Sequence, residues 1–422
     1  MPPGTPQALP VPARPPGSGS PWRILMASYC LYVLFTFLNE ATGGERQMVG
    51  AVLFLSVVAA CSARRLLPVP LTGLTVALLF SALLPMVALL SGLTAGNEGA
   101  PAYTIKYFSL LFVLLAASSL RLPPLYRTPE RWWGLVAILS ILLIGLARGS
   151  GEDRVEGSFA NPNNYALVAL SLLFFVDRVR DARWFIIGLY ALVLALVILS
   201  GTTGALMGYM AGLAVALLCT RFARLTCAAL AGAALLGALL LATLHTIDPA
   251  ALAEMRIVGP LWSKVYIAQQ HYADIAAGSD LNFWELGTEY GNVEYTSSIW
   301  RLAHWHDLLW KFRRSGVLSR LLGHGIGSSP VFLGKLPHND YLRLLFEVGV
   351  LGLLANLAAW LILFRRAEPS ARGPAAMMAA YAITENNLDN FLVMSLFALF
   401  LVSARRAIVP PPIPAPPGRV FS

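Results

Sequence analysis

Repeated apolar runs of about bilayer length constrain this chain more than any motif it carries. Twelve such runs lie at about 22–39, 47–63, 71–94, 103–120, 132–147, 162–177, 183–200, 203–219, 225–246, 341–364, 373–386 and 388–404. Many of them reach the roughly 20 residues that an α-helix needs to cross a bilayer. In lipid, backbone polar groups must be satisfied within the segment, so the runs must be helices. Of the 422 residues, 57% are hydrophobic and 13% charged, against roughly 25% charged in a soluble domain. The pattern excludes a soluble globule and predicts an all-α polytopic membrane protein. The eleventh run is the shortest and most polar.

Arginine placement orients these spans. Loops on one side hold Arg64 and Arg65; Arg121, Arg127 and Arg131; Arg178, Arg180 and Arg183; Arg221 and Arg224; Arg365, Arg366 and Arg372. The tails add Arg14, Arg23, Arg405, Arg406 and Arg419, while the other side's short loops hold Arg46, Arg148 and Arg154. The positive-inside rule makes the Arg-rich side, with both termini, cytoplasmic. The net charge of +9 therefore reports topology and gives no support to nucleic-acid binding. Met1–Ser20, rich in Pro and Gly, reads as a disordered cytoplasmic tail, and 406–422 as a cytoplasmic tail. The four cysteines (Cys30, Cys61, Cys219, Cys227) fall in or beside apolar runs, which predicts neither a disulfide nor a cysteine metal site. The sequence has no internal repeat.

The segment 248–340 then faces outward, between a bundle at 21–247 and a second at 341–405. Asp248-Pro249 reads as a helix start. Ser298–Arg314 reads as a second helix, with Ile299, Leu302, Leu309 and Phe312 as its apolar stripe. Its Trp300, Trp305 and Trp310 suit a bilayer interface. The segment is expected to lie on the membrane as a lid.

Several constellations on this face could carry chemistry. His338 sits in Leu336-Pro337-His338-Asn339-Asp340-Tyr341-Leu342, where the loop re-enters the membrane as a helix. A helix N-terminus attracts phosphate, and histidine suits acid–base work near neutral pH. Arg148 and Arg154 precede Asn161-Pro162-Asn163, another helix start; they read as a diphosphate grip or as solvated loop charges. Arg301, one turn before Trp305, reads as an anion ligand or as a snorkelling interfacial arginine. Gly323-His324-Gly325-Ile326-Gly327 lacks the Lys-Ser/Thr of a phosphate loop and reads as a tight turn. Lys106, between Tyr103 and Tyr107, and Thr384–Asn390 place polar groups at the outer ends of spans, where ionisable residues mark function. All six histidines fall on the outer side. His304 and His306 point to different helix faces, and no spacing resembles a zinc motif.

The His338-Asn339-Asp340-Tyr341-Leu342 run, with Glu347, Gly349 and Gly352-Leu353-Leu354 beyond it, resembles the signature of the O-antigen ligase and polymerase superfamily. Gly157–Asn163, Arg301 with Trp305, and Gly323–Gly327 resemble that superfamily's other landmarks, in the same order. One element departs: Ser200-Gly201-Thr202-Thr203-Gly204 lacks the arginine of the family's Ser-Arg-Gly, which leaves that charge to Arg148 or Arg154. A single long outer loop and a short C-terminal tail favour the lipopolysaccharide O-antigen ligases over the polymerases and the protein O-oligosaccharyltransferases. The resemblance implies a GT-C-like membrane glycosyltransferase facing the periplasm from the inner membrane. Its donor would be undecaprenyl-diphosphate-linked O-antigen and its acceptor a lipid A–core sugar, with membrane lipids around it. No nucleic-acid partner and no metal or nucleotide cofactor is implied. His338 is then the catalytic base, and Arg148, Arg154, Arg301, Lys106, Asn161 and Asn163 hold the donor. Tyr107, Asn339, Glu385, Asp389 and Asn390 supply further polar contacts. A transporter or flippase for a lipid-linked sugar is the alternative from another class. Against it, no span reads as broken at mid-membrane.

Overall fold

The structure is a computed structural model that describes residues 21–42, 46–62, 73–90, 100–120, 122–148, 159, 161–219, 266–277, 285 and 297–405. The ninth predicted span (225–246), the helix start at Asp248-Pro249 and both tails lie outside these residues.

The described chain is built from helices. The first eight are α1 (Pro21–Thr42), α2 (Arg46–Ser62), α3 (Gly73–Leu90), α4 (Ala100–Leu120), α5 (Arg131–Arg148), α6 (Pro162–Ser171), α7 (Arg183–Leu199) and α8 (Thr203–Leu218). The outer segment contributes α9 (Tyr272–Ala277), α10 (Ser297–Arg314), α11 (Val317–Leu322) and α12 (Ser328–Leu333). The last three are α13 (Asp340–Arg366), α14 (Pro369–Tyr381) and α15 (Phe391–Ser403). Among the described residues, no strand forms beyond one isolated bridge between Ala367 and Arg405.

Windows in α1 (Pro21–Leu38), α4 (Pro101–Leu120) and α13 (Asp340–Arg366) are long and apolar enough to cross a membrane. α2, α5, α7, α8 and α15 are apolar but shorter. Their outer faces carry large exposed hydrophobics, among them Ile24, Val52, Val136, Ile187 and Met207. Such a surface suits lipid better than water, and the architecture is that of an all-α membrane protein.

Three predicted spans are redrawn. The sixth (162–177) is α6 followed by a 3₁₀ turn at Leu172–Phe175. The eleventh (373–386) is α14, which starts earlier because Pro369 occupies its first turn and ends at Tyr381. The twelfth (388–404) begins only at Phe391, where the Asn390 side chain caps it by accepting from the Val393 N–H.

The tenth span overturns the expectation of unbroken helices. α13 is interrupted at Gly349 (φ 71°, ψ −178°), a backbone region that glycine enters at little cost. The break frees the carbonyls of Phe346 and Glu347, which accept from the N–H groups of His324 and Gly325, each at 2.9 Å. The 323–327 turn is thus tied to the break. Gly323 (φ 86°) faces Gly349, and a Cβ on either would collide with the other strand's carbonyls.

At the opposite end of α13 the Arg-bearing loops meet. Arg127 pairs with Asp177 (3.2 Å) and with Glu368, Arg131 with Asp181 (2.6 Å), and Trp22 donates to the Pro123 carbonyl (2.9 Å). These contacts join the loops after α4, α6 and α13 at one end, as a shared membrane face requires.

α8 packs against α14 through small residues, as membrane helices do when side-chain bulk would keep their backbones apart. A methyl carbon added at Gly212 would lie 2.6 Å from Met377 Cβ and 2.9 Å from the Gly373 carbonyl, whereas one at Gly188 would meet nothing within 4 Å. Overpacking of this kind costs about 1–3 kcal/mol. Gly212→Leu is therefore expected to lower the thermal midpoint of the purified protein in detergent, and Gly188→Leu to leave it unchanged. Equal midpoints would show that the α8–α14 approach does not hold the bundle.

Candidate functional site

His338, Arg301 and Glu385 meet at the end of the bundle opposite the arginine loops. Each comes from a different element. Residues 297–314 form a helix with Trp300 and His304 on one face and Arg301 and Trp305 on the neighbouring one, as an i, i+4 spacing dictates. His338 precedes α13, whose start is fixed by Asn339: its side chain accepts from the Leu342 N–H at 3.0 Å. Glu385 lies in the turn between α14 and α15.

The Glu385 carboxylate joins the other two. Its Oε2 is 2.9 Å from His338 Nδ1, and its Oε1 accepts from Arg301 at 2.9 Å. A carboxylate only accepts, so Nδ1 is the donating nitrogen of this pair, and in the neutral ring the Nε2 lone pair is then the free one. Glu385 is 7% exposed, while the His338 side chain remains 27% exposed and within reach of a substrate. Trp305 fixes the approach to His338 by donating to the Pro337 carbonyl at 2.6 Å, and Trp300 meets the His338 ring edge-on at 5.1 Å. Trp300 and Trp305 are therefore packing and orienting groups here; Trp310 is the exposed one of the three.

Two features set this cluster apart from solvated side chains. His338 has φ 49° and is the only non-glycine residue with positive φ among those described. Such a backbone costs about 1–3 kcal/mol and persists where its surroundings enforce it. Arg301 Nε is buried and has no hydrogen-bond partner, so its guanidinium keeps one donor in reserve after serving Glu385.

His304 stacks on Trp300 with ring centres 4.2 Å apart, its Nδ1 lying 2.8 Å from the Trp300 carbonyl. Burial lowers its proton affinity, which favours the neutral ring. His324, likewise lowered by burial, contacts the Ser315 hydroxyl through Nε2 at 2.7 Å and stacks on Phe346. Neither touches Glu385 in the described contacts.

The remaining expected residues distribute as follows. Asp389, four residues beyond Glu385, pairs at 2.8 Å with Arg343, which is 4% exposed and also lies 3.3 Å from Glu347. Glu347 in turn accepts from the Ser329 hydroxyl at 2.6 Å. Lys106 and Tyr107 line a small cleft with Arg343 and Asp389. Lys106 lies over the Tyr103 ring, and the Tyr107 hydroxyl is engaged with Asn356 and the Ser81 carbonyl. Asn161 caps α6, Asn163 accepts from Thr202, and Asn390 caps α15 and reaches Asn164. The Arg148 side chain and the whole of Arg154 lie outside the described residues.

Arg343 and Ser329 were not singled out from the sequence, and Glu347 was named only as part of the resemblance. The signal was present: an Arg and a Glu four apart inside an apolar span are costly unless paired. Set against known proteins, the chain matches no family model and no curated relative.

Removing Arg343 would leave the buried Glu347 carboxylate and the half-buried Asp389 without the cation they share. Breaking a buried pair from one side costs about 3–5 kcal/mol. Arg343→Met should therefore lower the detergent melting midpoint sharply, and Lys106→Met, on an exposed side chain, should shift it little. A melt of Arg343→Met that overlays the wild type would refute the pairing.

Proposed function

We propose that this chain is a membrane-embedded glycosyltransferase of the O-antigen ligase type. It transfers a glycan from undecaprenyl diphosphate to a hydroxyl of lipid A–core at the periplasmic face of the inner membrane, within a GT-C-like bundle of twelve spans. The observation that carries this reading is the Arg301–Glu385–His338 chain. It sets a histidine with a free Nε2 beside an arginine with an unused donor, and the motifs of that superfamily run through the same residues.

His338 Nε2 removes the proton from the acceptor hydroxyl. The oxygen attacks the anomeric carbon of the donor sugar, and the bond from that carbon to the diphosphate oxygen breaks. The diphosphate leaves with the electron pair. Arg301 stabilises the departing charge through the Nε–H that Glu385 does not use, with Arg148, Arg154 and Lys106 as further cations on this face. Glu385 stabilises the imidazolium that forms, and holding both lipids at one surface supplies the orientation.

The flippase alternative gains one observation, the break in α13, because transporters use interrupted helices to bind cargo. Here the freed carbonyls of Phe346 and Glu347 are already occupied by His324 and Gly325, and, apart from the arginine loops at the opposite end, the ionic side chains gather around His338 and Arg343. Transfer is the better reading.

The test is product formation by purified protein given both lipids and no energy source. His338→Ala should fold and lose roughly a hundred- to ten-thousandfold in rate, and His338→Gln should not restore it. Arg301→Ala should weaken donor use about ten- to a hundredfold, with poor rescue by Lys because the planar fork is lost. More than about a tenth of wild-type turnover in His338→Ala would remove the base from the mechanism.

Orientation has its own test. Val317 is 65% exposed at the start of α11 and Val179 75% exposed among the arginine loops. In a cysteine-free background and intact cells, an impermeant thiol reagent should label Val317→Cys and spare Val179→Cys. The opposite pattern would reverse the proposed topology.

A further inference from the structure

α13 and α14 are joined at both ends yet differ twofold in length. Their 27 and 13 residues correspond to about 40 and 20 Å of helix. At one end they are linked through Ala367 and Glu368; at the other the Asp340 N–H donates to the Ala382 carbonyl at 2.9 Å. The break at Gly349 reconciles the two lengths. It divides α13 into residues 340–348, about 13 Å of helix, and residues 350–366, about 25 Å. Between the two arms and α14 lies a wedge of about 400 Å³, closed behind by Met394, Phe397 and Leu401 of α15. Its walls are apolar, with Leu357, Leu361 and Ala379 at exposed positions. Its head lies beside the His338–Glu385 pair and is lined by Asp340 and Asn387. Both are at least nine-tenths buried, and an oxygen of each, Asp340 Oδ1 and Asn387 Oδ1, has no hydrogen-bond partner.

We propose that this wedge seats an acyl chain of the acceptor glycolipid, one bearing an amide N–H or hydroxyl near its polar end. This rests on the transfer reading above. An apolar cavity of this size matches small-ligand sites of roughly 300–1,000 Å³. The chemistry of its head decides between the two lipids. Among the described residues, no Lys or Arg lines the wedge, and its unsatisfied atoms are oxygens, of which the Asn387 amide oxygen can only accept. A diphosphate is itself anionic and offers no donor to them. An amide-linked or hydroxylated acyl chain supplies donors and buries its methylenes along Leu357, Leu361 and Phe397. The donor diphosphate is left to Arg301, which holds the Glu385 oxygen that His338 does not and is not part of the wedge lining.

The experiment uses a photoactivatable amide-linked 3-hydroxyacyl lipid as the probe, with the purified protein in nanodiscs. Ultraviolet labelling should concentrate on peptides from α13 and α14. Ala379→Trp or Leu361→Trp should reduce it about tenfold by filling the wedge, while Val136→Trp, on the lipid face of α5, should not. Undecaprenyl diphosphate should fail to compete. In turnover, the same two variants should raise KM for an acylated acceptor about tenfold, with donor KM and the rate on a deacylated acceptor unchanged. Competition by undecaprenyl diphosphate, or a raised donor KM, would assign the wedge to the donor and overturn the proposal. Labelling equal at the wedge and at α5 would make it ordinary bilayer contact and would overturn the proposal as well. Absence of transfer by the wild type would refute the transfer reading alone, since labelling reads the wedge independently.

Discussion

The break at Gly349 is the constraint on which the rest of the site depends. One glycine in a left-handed conformation releases two carbonyls, and the 323–327 turn satisfies them. Without that turn the carbonyls would be unpaired in an apolar setting, at a cost of a few kcal/mol each. Break and turn therefore form together or not at all. The first arm of α13 reaches Ala382 because of the bend, and this places His338 against the Glu385 turn.

A buried ionic layer stands behind that arrangement. Arg343 holds Glu347 on its own helix and Asp389 on the turn that carries Glu385. Glu347 holds Ser329 of the outer segment. The same few side chains thus bind the segment that carries Ser329, the bent helix and the turn between the last two helices. Paired in this way the charges are tolerable at membrane depth, and they specify one register for all three pieces.

Helix class and most helix positions were readable because apolar run length is a direct physical signal, as α1, α4 and α8 show. The helix over 298–314 was readable from its stripe. The grouping of His338, Arg301 and Glu385 at one end followed from the side on which each falls. Their contacts were not readable, because 84 residues separate Arg301 from Glu385 and no local pattern encodes that distance. The break was missed for a different reason. A single glycine in an apolar run is usually tolerated inside a helix, and only the approach of Gly323 reveals its conformation. The Gly204-x-x-x-Gly208-x-x-x-Gly212 spacing was a legible packing signal that was not used.

The strained backbone at His338 has a consequence for how variants there present themselves. Asparagine and glycine enter the left-handed region more easily than histidine. Replacing His338 with either relaxes the chain at the point where the proton acceptor is lost. Under the transfer reading, the least functional substitutions at this position are among the best folded. A screen that scores abundance or thermal resistance would rank them as neutral or improved, and only an assay of turnover would separate them from the wild type.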